Sequence, residues 1–304
     1  MAYYESDDVA LCSNFNQVLR IDCSLSDSRY MFYQLCWLRE RGAFAPLSRK
    51  TTGLQNLQMS KFGDLQVKCP AKLVQRARAE SLYQIQQLVR DGKALINRLD
   101  DLVKSQFVEM FGELAPSVSL ASICELFTDG DWIESKDQSI GGIRLLQTGN
   151  VGNGKFRNKG DKARYITGET FDRLQCKDVL AGDILISRLP DPVGRACAVP
   201  ESLGRCITAV DCSILRLKPE WNVSFVVWFT RTADYENQIR EYLTGTTRKR
   251  ISRSNLGKIK IPAADSELQQ QFADFVARVD KLGFGIWLAC KSLHEPITHF
   301  YHQI

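Results

Sequence analysis

Small and apolar side chains recur every three or four residues at Leu82, Ile85, Val89, Gly92, Ile96, Leu99, Val103, Phe107 and Met110, with Arg, Gln, Lys and Asp filling most other positions. This is the seam of a coiled coil, and it predicts a helix of about forty residues entered just after Pro70. A second stripe, Leu268, Phe272, Phe275, Val279, Leu282, Ile286, Ala289 and Leu293, follows Pro262 in the same steps of four and three. A helix of about forty residues is about 60 Å long, too long to bury its seam inside one small neighbouring domain. The two helices are therefore expected to pack on each other, and the globular segment between them lets the chain turn back, which predicts an antiparallel pair. Gly283, Gly285 and Pro296 predict a break or fraying near the end of the second helix.

Between the stripes the pattern shortens. Ile143–Gln147, Asp183–Ser187, Cys212–Leu217 and Val223–Phe229 read as strands or buried segments separated by Gly, Asn and Pro turns, whereas Gly168–Leu174 and Ala233–Leu243 read as short helices.

Part of this pattern occurs twice. Leu57-Gln-Met-Ser-Lys-Phe-Gly-Asp-Leu-Gln-Val67, with Pro70 beyond it, returns as Ile251-Ser-Arg-Ser-Asn-Leu-Gly-Lys-Ile-Lys-Ile261, closed by Pro262. A threonine pair precedes each copy (Thr51-Thr52 and Thr246-Thr247), Val18-Leu19-Arg20-Ile21 is echoed by Ile214–Leu217, and the run Tyr30–Tyr33 by Val226–Phe229. A repeat of roughly 195 residues implies duplicated domains rather than a solenoid. The expected class is α+β, with mixed α/β domains joined to two long helices packed as an antiparallel coiled coil. Residues 1–69 are expected to be the C-terminal part of a first domain, 70–113 a long helix, 114–262 a complete domain and 263–304 the second helix. Relative to the complete copy, roughly the first 80 residues of the earlier one are missing, so it lacks several strands and the apolar run Tyr30–Trp37 is expected to be partly uncovered.

Composition narrows the class. With 304 residues, 44% apolar and 25% charged, the chain has room for two cores. It has no run of 18 apolar residues, and the acidic start Met1–Asp8 does not open a signal peptide, so a cytoplasmic location without membrane contact is expected. Ten cysteines are scattered without a Cys-x-x-Cys pair and read as reduced, mostly buried thiols.

The net charge is only +5, so its placement matters more than its size. Lys155, Arg157, Lys159, Lys162 and Arg164 share a Gly/Asn-rich loop with one acid, Asp161, and Arg248, Lys249, Arg250, Arg253, Lys258 and Lys260 follow Gly245 with no acid among them. Such loops supply phosphate contacts and base-edge donors; the competing reading is a solvated surface. Catalytic signatures fail on inspection. Gly149–Lys155 has the spacing of a phosphate-binding loop, but Phe156 stands where a metal-binding Ser or Thr belongs, and no helix follows. Pro190-Asp191 lacks the continuation of a nuclease cluster, and His294, His299 and His302 have no Cys or acidic companions for a metal. No nucleophile elbow or dinucleotide fingerprint occurs. The chain reads as a binding component with no cofactor, not an enzyme.

In order, Gly182-Asp-Ile-Leu-Ile-Ser-Arg188, Thr244-Gly-Thr-Thr-Arg-Lys-Arg-Ile-Ser252, Leu256-Gly-Lys-Ile-Lys-Ile-Pro262 and a long helix with Gln269–Gln271 near its start resemble the DNA-specificity (S) subunit of type I restriction-modification systems. Gly53–Leu57 and the first helix look like the matching junction of a first target-recognition domain. The resemblance implies two target-recognition domains that each read half of a split site in double-stranded DNA, and a helical spacer that sets the distance between the halves. It also implies docking of methyltransferase (M) subunits on the helices and, through them, of the restriction (R) subunit. By this reading Lys155, Arg157, Lys159, Arg248, Lys249 and Arg250 contact mainly phosphates, and Asn153, Asn158, Arg188 and Thr247 are candidates for base readout. Lys162, Arg164, Thr246 and Ser252 complete the candidate DNA-binding set. Two alternatives stay open: a recognition fragment of a single-chain methyltransferase or nuclease, and a non-functional silent specificity cassette.

Overall fold

A computed structural model of the chain describes residues 1–51, 54–246 and 248–293. Thr52, Gly53 and Thr247, together with Pro296 and all three histidines, lie outside the described residues. The chain divides into two compact units, one of Met1–Arg98 with the described residues from Leu282 onward, the other of Leu99–Lys281.

In the first unit, α1 (Ser28–Glu40) is followed by the hairpin β1 (Ser48–Thr51) and β2 (Leu54–Leu57), a short α2 (Met59–Gly63), and α3 (Lys72–Phe111), which continues into the second unit. The run Tyr30–Trp37 is largely covered, with Phe32, Cys36 and Trp37 left half-buried. Tyr30 and Tyr33 are buried against Ala79 and Leu82 of α3, while Met31 and Leu35 meet Phe62 of α2. Val18–Ile21 forms no strand, and Val18 and Leu19 are exposed. Its counterpart Ile214–Leu217 is hydrogen-bonded between two other strands, and the described residues of the first unit offer Val18–Ile21 no such neighbours.

The second unit runs β3 (Pro116–Ser119), β4 (Cys124–Asp129), β5 (Ile143–Leu146), β6 (Arg164–Ile166), α4 (Gly168–Leu174), β7 (Ile184–Ser187), β8 (Ala196–Ala198), β9 (Cys206–Thr208) and β10 (Cys212–Leu217), then α5 (Val223–Phe229), α6 (Ala233–Glu241), α7 (Arg253–Lys258), β11 (Lys260–Pro262) and α8 (Ser266–Ser292). Its main sheet is antiparallel in the order β4-β10-β7-β8; β6-β5-β9 form a three-stranded mixed sheet and β11 pairs with β3. Expected elements appear at Ile143, Ile184, Cys212, Gly168 and Ala233. Val223–Phe229 departs from its strand reading. It is a buried helix capped by Asn222, whose side chain accepts from Ser224 N, and an unbroken apolar run carries no period to distinguish the two forms.

Most stripe positions of the long helices are buried or half-buried, but Leu282 and Ala289 of the second stripe are exposed. α3 spans 40 residues, and α8 runs without a break through Gly283 and Gly285 to Ser292, so the expected break at those glycines is absent. Glycine in a helix costs only about 1 kcal/mol, less than continuous packing along a seam supplies. Phe107 and Phe111 of α3 pack against Phe225 and Phe272, mostly edge-to-face, at ring separations of 4.7–5.6 Å. In the first unit a Cβ on Gly92 would lie 2.3 Å from Cys290 Sγ, so the seam glycine lets α8 lie close to α3 there. Within each unit, then, α3 and α8 touch along their stripes.

The duplication is also visible in hydrogen bonds. Gln75 of α3 is buried; its Oε1 accepts from Asp27 N and Ser26 Oγ, both at 2.8 Å, and its Nε2 donates to Pro70 O at 2.7 Å. Gln269 of α8 repeats this, accepting from Asn222 N and donating to Ala264 O, both at 2.9 Å. Asp27 and Asn222 cap α1 and α5. One buried amide thus fixes the start of each long helix against the capped helix beside it.

The cysteines are free thiols: Cys124, Cys176, Cys197, Cys206 and Cys212 are buried, while Cys12, Cys23 and Cys69 are exposed. Among the described residues no helix is long and apolar enough to cross a membrane, and no group of three or more His, Cys, Asp or Glu is placed to hold a metal ion.

Candidate nucleic-acid interface

One end of the four-stranded sheet gathers the two basic loops. The pairings Ser213↔Asp129, Cys212↔Ser187 and Ile186↔Ala196 put the end of β4, the start of β10, the end of β7 and the start of β8 side by side. Two arginines close the β7–β8 hairpin there, and each holds a different loop.

Arg195 is buried and meets no carboxylate within ion-pair distance among the described residues. Its Nε donates to Val151 O at 2.8 Å, Nη2 to Thr148 O at 2.8 Å, and Nη1 to Leu189 O and Pro192 O at 2.8 and 2.9 Å. Four carbonyls thus solvate the guanidinium, while burial still pushes its pKa down. This clamps the root of the 152–164 loop to the hairpin. The buried Asn150 continues the brace: its Oδ1 accepts from Gln147 N at 2.9 Å and its Nδ2 donates to Arg157 O at 3.0 Å.

Arg188 is the second clamp, and here the structure corrects the expectation of base readout. Its side chain is buried, with Nη2 donating to Val210 O at 2.6 Å, Nη1 reaching Ile251 O at 3.5 Å, and Nε lying 3.3 Å from Asp129 Oδ1. Ile251 N in turn donates to Arg188 O at 3.2 Å. A buried guanidinium spent on two backbone carbonyls and a neighbouring carboxylate is turned inward, away from a base. Arg188 instead anchors the second basic loop, whose neck is closed by Thr244 and Arg250 exchanging two 2.9 Å backbone hydrogen bonds. Gly245 makes the turn possible: its φ is +95°, and a Cβ there would sit 2.4 Å from Arg248 O.

The remaining candidates sort by environment. Asn153, Lys155, Arg157, Asn158, Lys159, Lys162 and Arg164 are exposed in the first loop, and Thr246, Arg248, Lys249 and Arg250 in the second. Asn158 Oδ1 already accepts from Arg144 Nη2 at 2.7 Å. Ser252 is engaged as a cap, its Oγ accepting from Asn255 N at 3.1 Å, and Thr247 lies outside the described residues. Arg144, Lys159, Lys162 and Arg164 line one cleft with Gln147 and Asn150, and no carboxylate contributes to it. Arg144 was not singled out by the sequence, because it sits inside a predicted strand apart from the visible clusters.

The tip of the first loop rests on a further buried cation. Gly154, at φ +80°, approaches Arg231 so closely that a Cβ would lie 2.8 Å from Arg231 Cδ. Arg231 Nη2 donates to both Asp100 oxygens of α3, at 2.8 and 2.6 Å, and its guanidinium carbon stands 3.9 Å from the Trp228 ring centroid. Burial pushes the Asp100 carboxyl up, but Arg231 and Lys104 outweigh it and hold it below the usual carboxylate value.

Residues 116–286, more than half of the chain, match the family model described as the type I restriction modification DNA specificity domain. The chain belongs to that family. A solved chain of a type I R-M system, from work on its complex assembly and conformational transition, superposes with a TM-score of 0.58 at 15% identity, over 94% of this chain and 72% of its own. The type I restriction-modification S subunit from M. genitalium gives 0.56 at 15% identity, over 92% and 73%. At that identity the likeness shows the fold. No curated protein matches the chain. A member of this specificity family recognises DNA sequence for a type I restriction-modification system, and the basic loops at the sheet end belong to the matched region.

Proposed function

We propose that the end of the β4-β10-β7-β8 sheet is the DNA-reading surface of this specificity subunit, and that residues 114–262 act as a complete target-recognition domain between two spacer helices, 70–113 and 263–304. The observation that carries this is the double clamp, in which Arg195 and Arg188 fasten two lysine- and arginine-rich loops to opposite strands of one hairpin. On this reading Lys155, Arg157, Lys159, Lys162, Arg164, Arg248, Lys249 and Arg250 serve phosphates; Asn153, Asn158 and Thr247 are the candidates for base edges, Thr246 completes the set, and Arg188 and Ser252 position the backbone. Residues 1–69 are the C-terminal part of a first recognition domain. Methylation and cleavage are left to partners: M subunits docked on the spacer helices, and an R subunit through them, in the cytoplasm. Leu88 and Leu95 of α3 and Leu282, Phe284, Trp287 and Leu288 of α8 are exposed on those helices, which supports a protein partner there.

The test is the salt dependence of binding to duplex DNA. Neutralising Arg248 and Arg250 together is expected to weaken binding to all sequences and to flatten the log-log salt slope by about 0.9 for each phosphate left without its cation. An unchanged slope removes that loop from the interface.

A further inference from the structure

Trp132 is 71% exposed, although an indole is among the side chains that gain most from burial. Its exposure does not come from a loose segment. Asp131, just before it, donates its N–H to Thr208 O at 2.9 Å and accepts from Val210 N at 3.0 Å; its carboxylate accepts from Lys177 N and Nζ at 2.8 and 2.9 Å. Ile133, just after it, packs into the core beneath β5. The next residues form a capped turn, and Asp137 pairs with Arg173 at 2.6 Å. With both neighbours held, the side chain between them is directed to solvent. The nearby Glu134 carboxylate is paired with Lys136 at 2.8 Å.

The surroundings name the ligand. Residue 132 follows β4 at the same sheet end as the two basic loops. Trp132 lines an open cleft with Gln147 and Arg164, and those two residues also line the adjoining cleft of Arg144, Lys159 and Lys162. An aromatic face, an amide and a guanidinium beside a cationic trough fit a nucleobase with its phosphates; an apolar protein partner has no use for the trough. Building on the sheet end as DNA interface, we infer that Trp132 is a stacking platform for one nucleobase unstacked from the duplex at the recognised site.

The experiment uses the full chain and duplexes that it enriches from a random library, re-made with a single mismatch moved through the site. A mismatch where the base is displaced prepays unpairing, so the wild type is expected to bind one such duplex more tightly than its matched parent. Trp132→Ala should lose that preference and bind the site about 5- to 150-fold more weakly, the range set by stacking of one base, while Trp132→Phe keeps most of both. The melting temperature and the salt slope should not move, because the residue is exposed and uncharged. Trp132→Ala with unaltered affinity and mismatch profile overturns the proposal, as does a loss confined to binding of a methyltransferase subunit. A wild-type chain that enriches no duplex would instead overturn the reading of the sheet end itself.

Discussion

Replacing Arg195 by Met removes the clamp at the root of the first loop while keeping much of the side chain's volume. Four hydrogen bonds to carbonyls of Thr148, Val151, Leu189 and Pro192 are lost. A hydrogen bond from a charged donor contributes about 1.5–3 kcal/mol, and carbonyls left buried without a donor cost about 1–3 kcal/mol each. Against this, the variant no longer buries a cation that lacks a carboxylate partner, which offsets a large part of the loss. A net destabilisation of about 2–4 kcal/mol follows. In a unit the size of Leu99–Lys281, that lowers the melting temperature by about 4–16 °C. Arg195→Lys should do no better, since a single ammonium cannot reach carbonyls on two sides as the planar guanidinium does. Thermal unfolding of the full chain reads the first effect and duplex binding at constant salt the second. Below the melting transition, DNA affinity should fall as well, because the loop root is freed. A melting temperature within about 1 °C of wild type would refute the clamp as a structural element.

Three further outcomes follow from the same geometry. Asp100 has a folded-state pKa below its usual value, so it stabilises above the unfolded-state pKa, and that contribution is lost as pH falls through the folded value; Asp100→Asn should therefore lower stability at neutral pH and flatten the acid limb of a pH–stability curve. Gln269→Leu should destabilise by about 1–3 kcal/mol in urea titration, by leaving the Asn222 N–H buried without its acceptor, and Gln75→Leu should act likewise through Asp27. Gly92→Leu should separate the long helices, read as weakened protection of their amides in hydrogen exchange, because even a Cβ there meets Cys290 Sγ at 2.3 Å.

The architecture was legible wherever periodicity was. α3 and α8 follow from their three-four stripes, α4 and α6 from short amphipathic runs, and β5, β7 and β10 from apolar segments bounded by turns. Val223–Phe229 was not, because a short segment buried on every side shows no period, and only the capping residue Asn222 signals a helix. The reading of Val18–Ile21 as an echo of β10 identified the repeat but not its conformation, since a strand exists only beside partners. In the candidate interface, exposed cations were visible as charge clusters. Buried ones were not: Arg188 looks like any other basic residue in sequence, and its position at the end of a four-residue buried strand was the available clue. Arg195 and Arg231 act through carbonyls and a carboxylate distant in the chain, and Trp132 gives no sequence sign of pointing outward.

In the proposed interface both basic loops at one sheet end read DNA together. The most direct measurement is selection of duplexes from a random library by the full chain, wild type against a variant carrying Lys155→Gln, Arg157→Gln, Arg248→Gln and Arg250→Gln. The wild type is expected to enrich a defined sequence, and the variant, melting at the same temperature, to bind it far more weakly with a flatter salt slope. Enrichment of the same sequence by the variant, with equal affinity, would contradict the proposed interface.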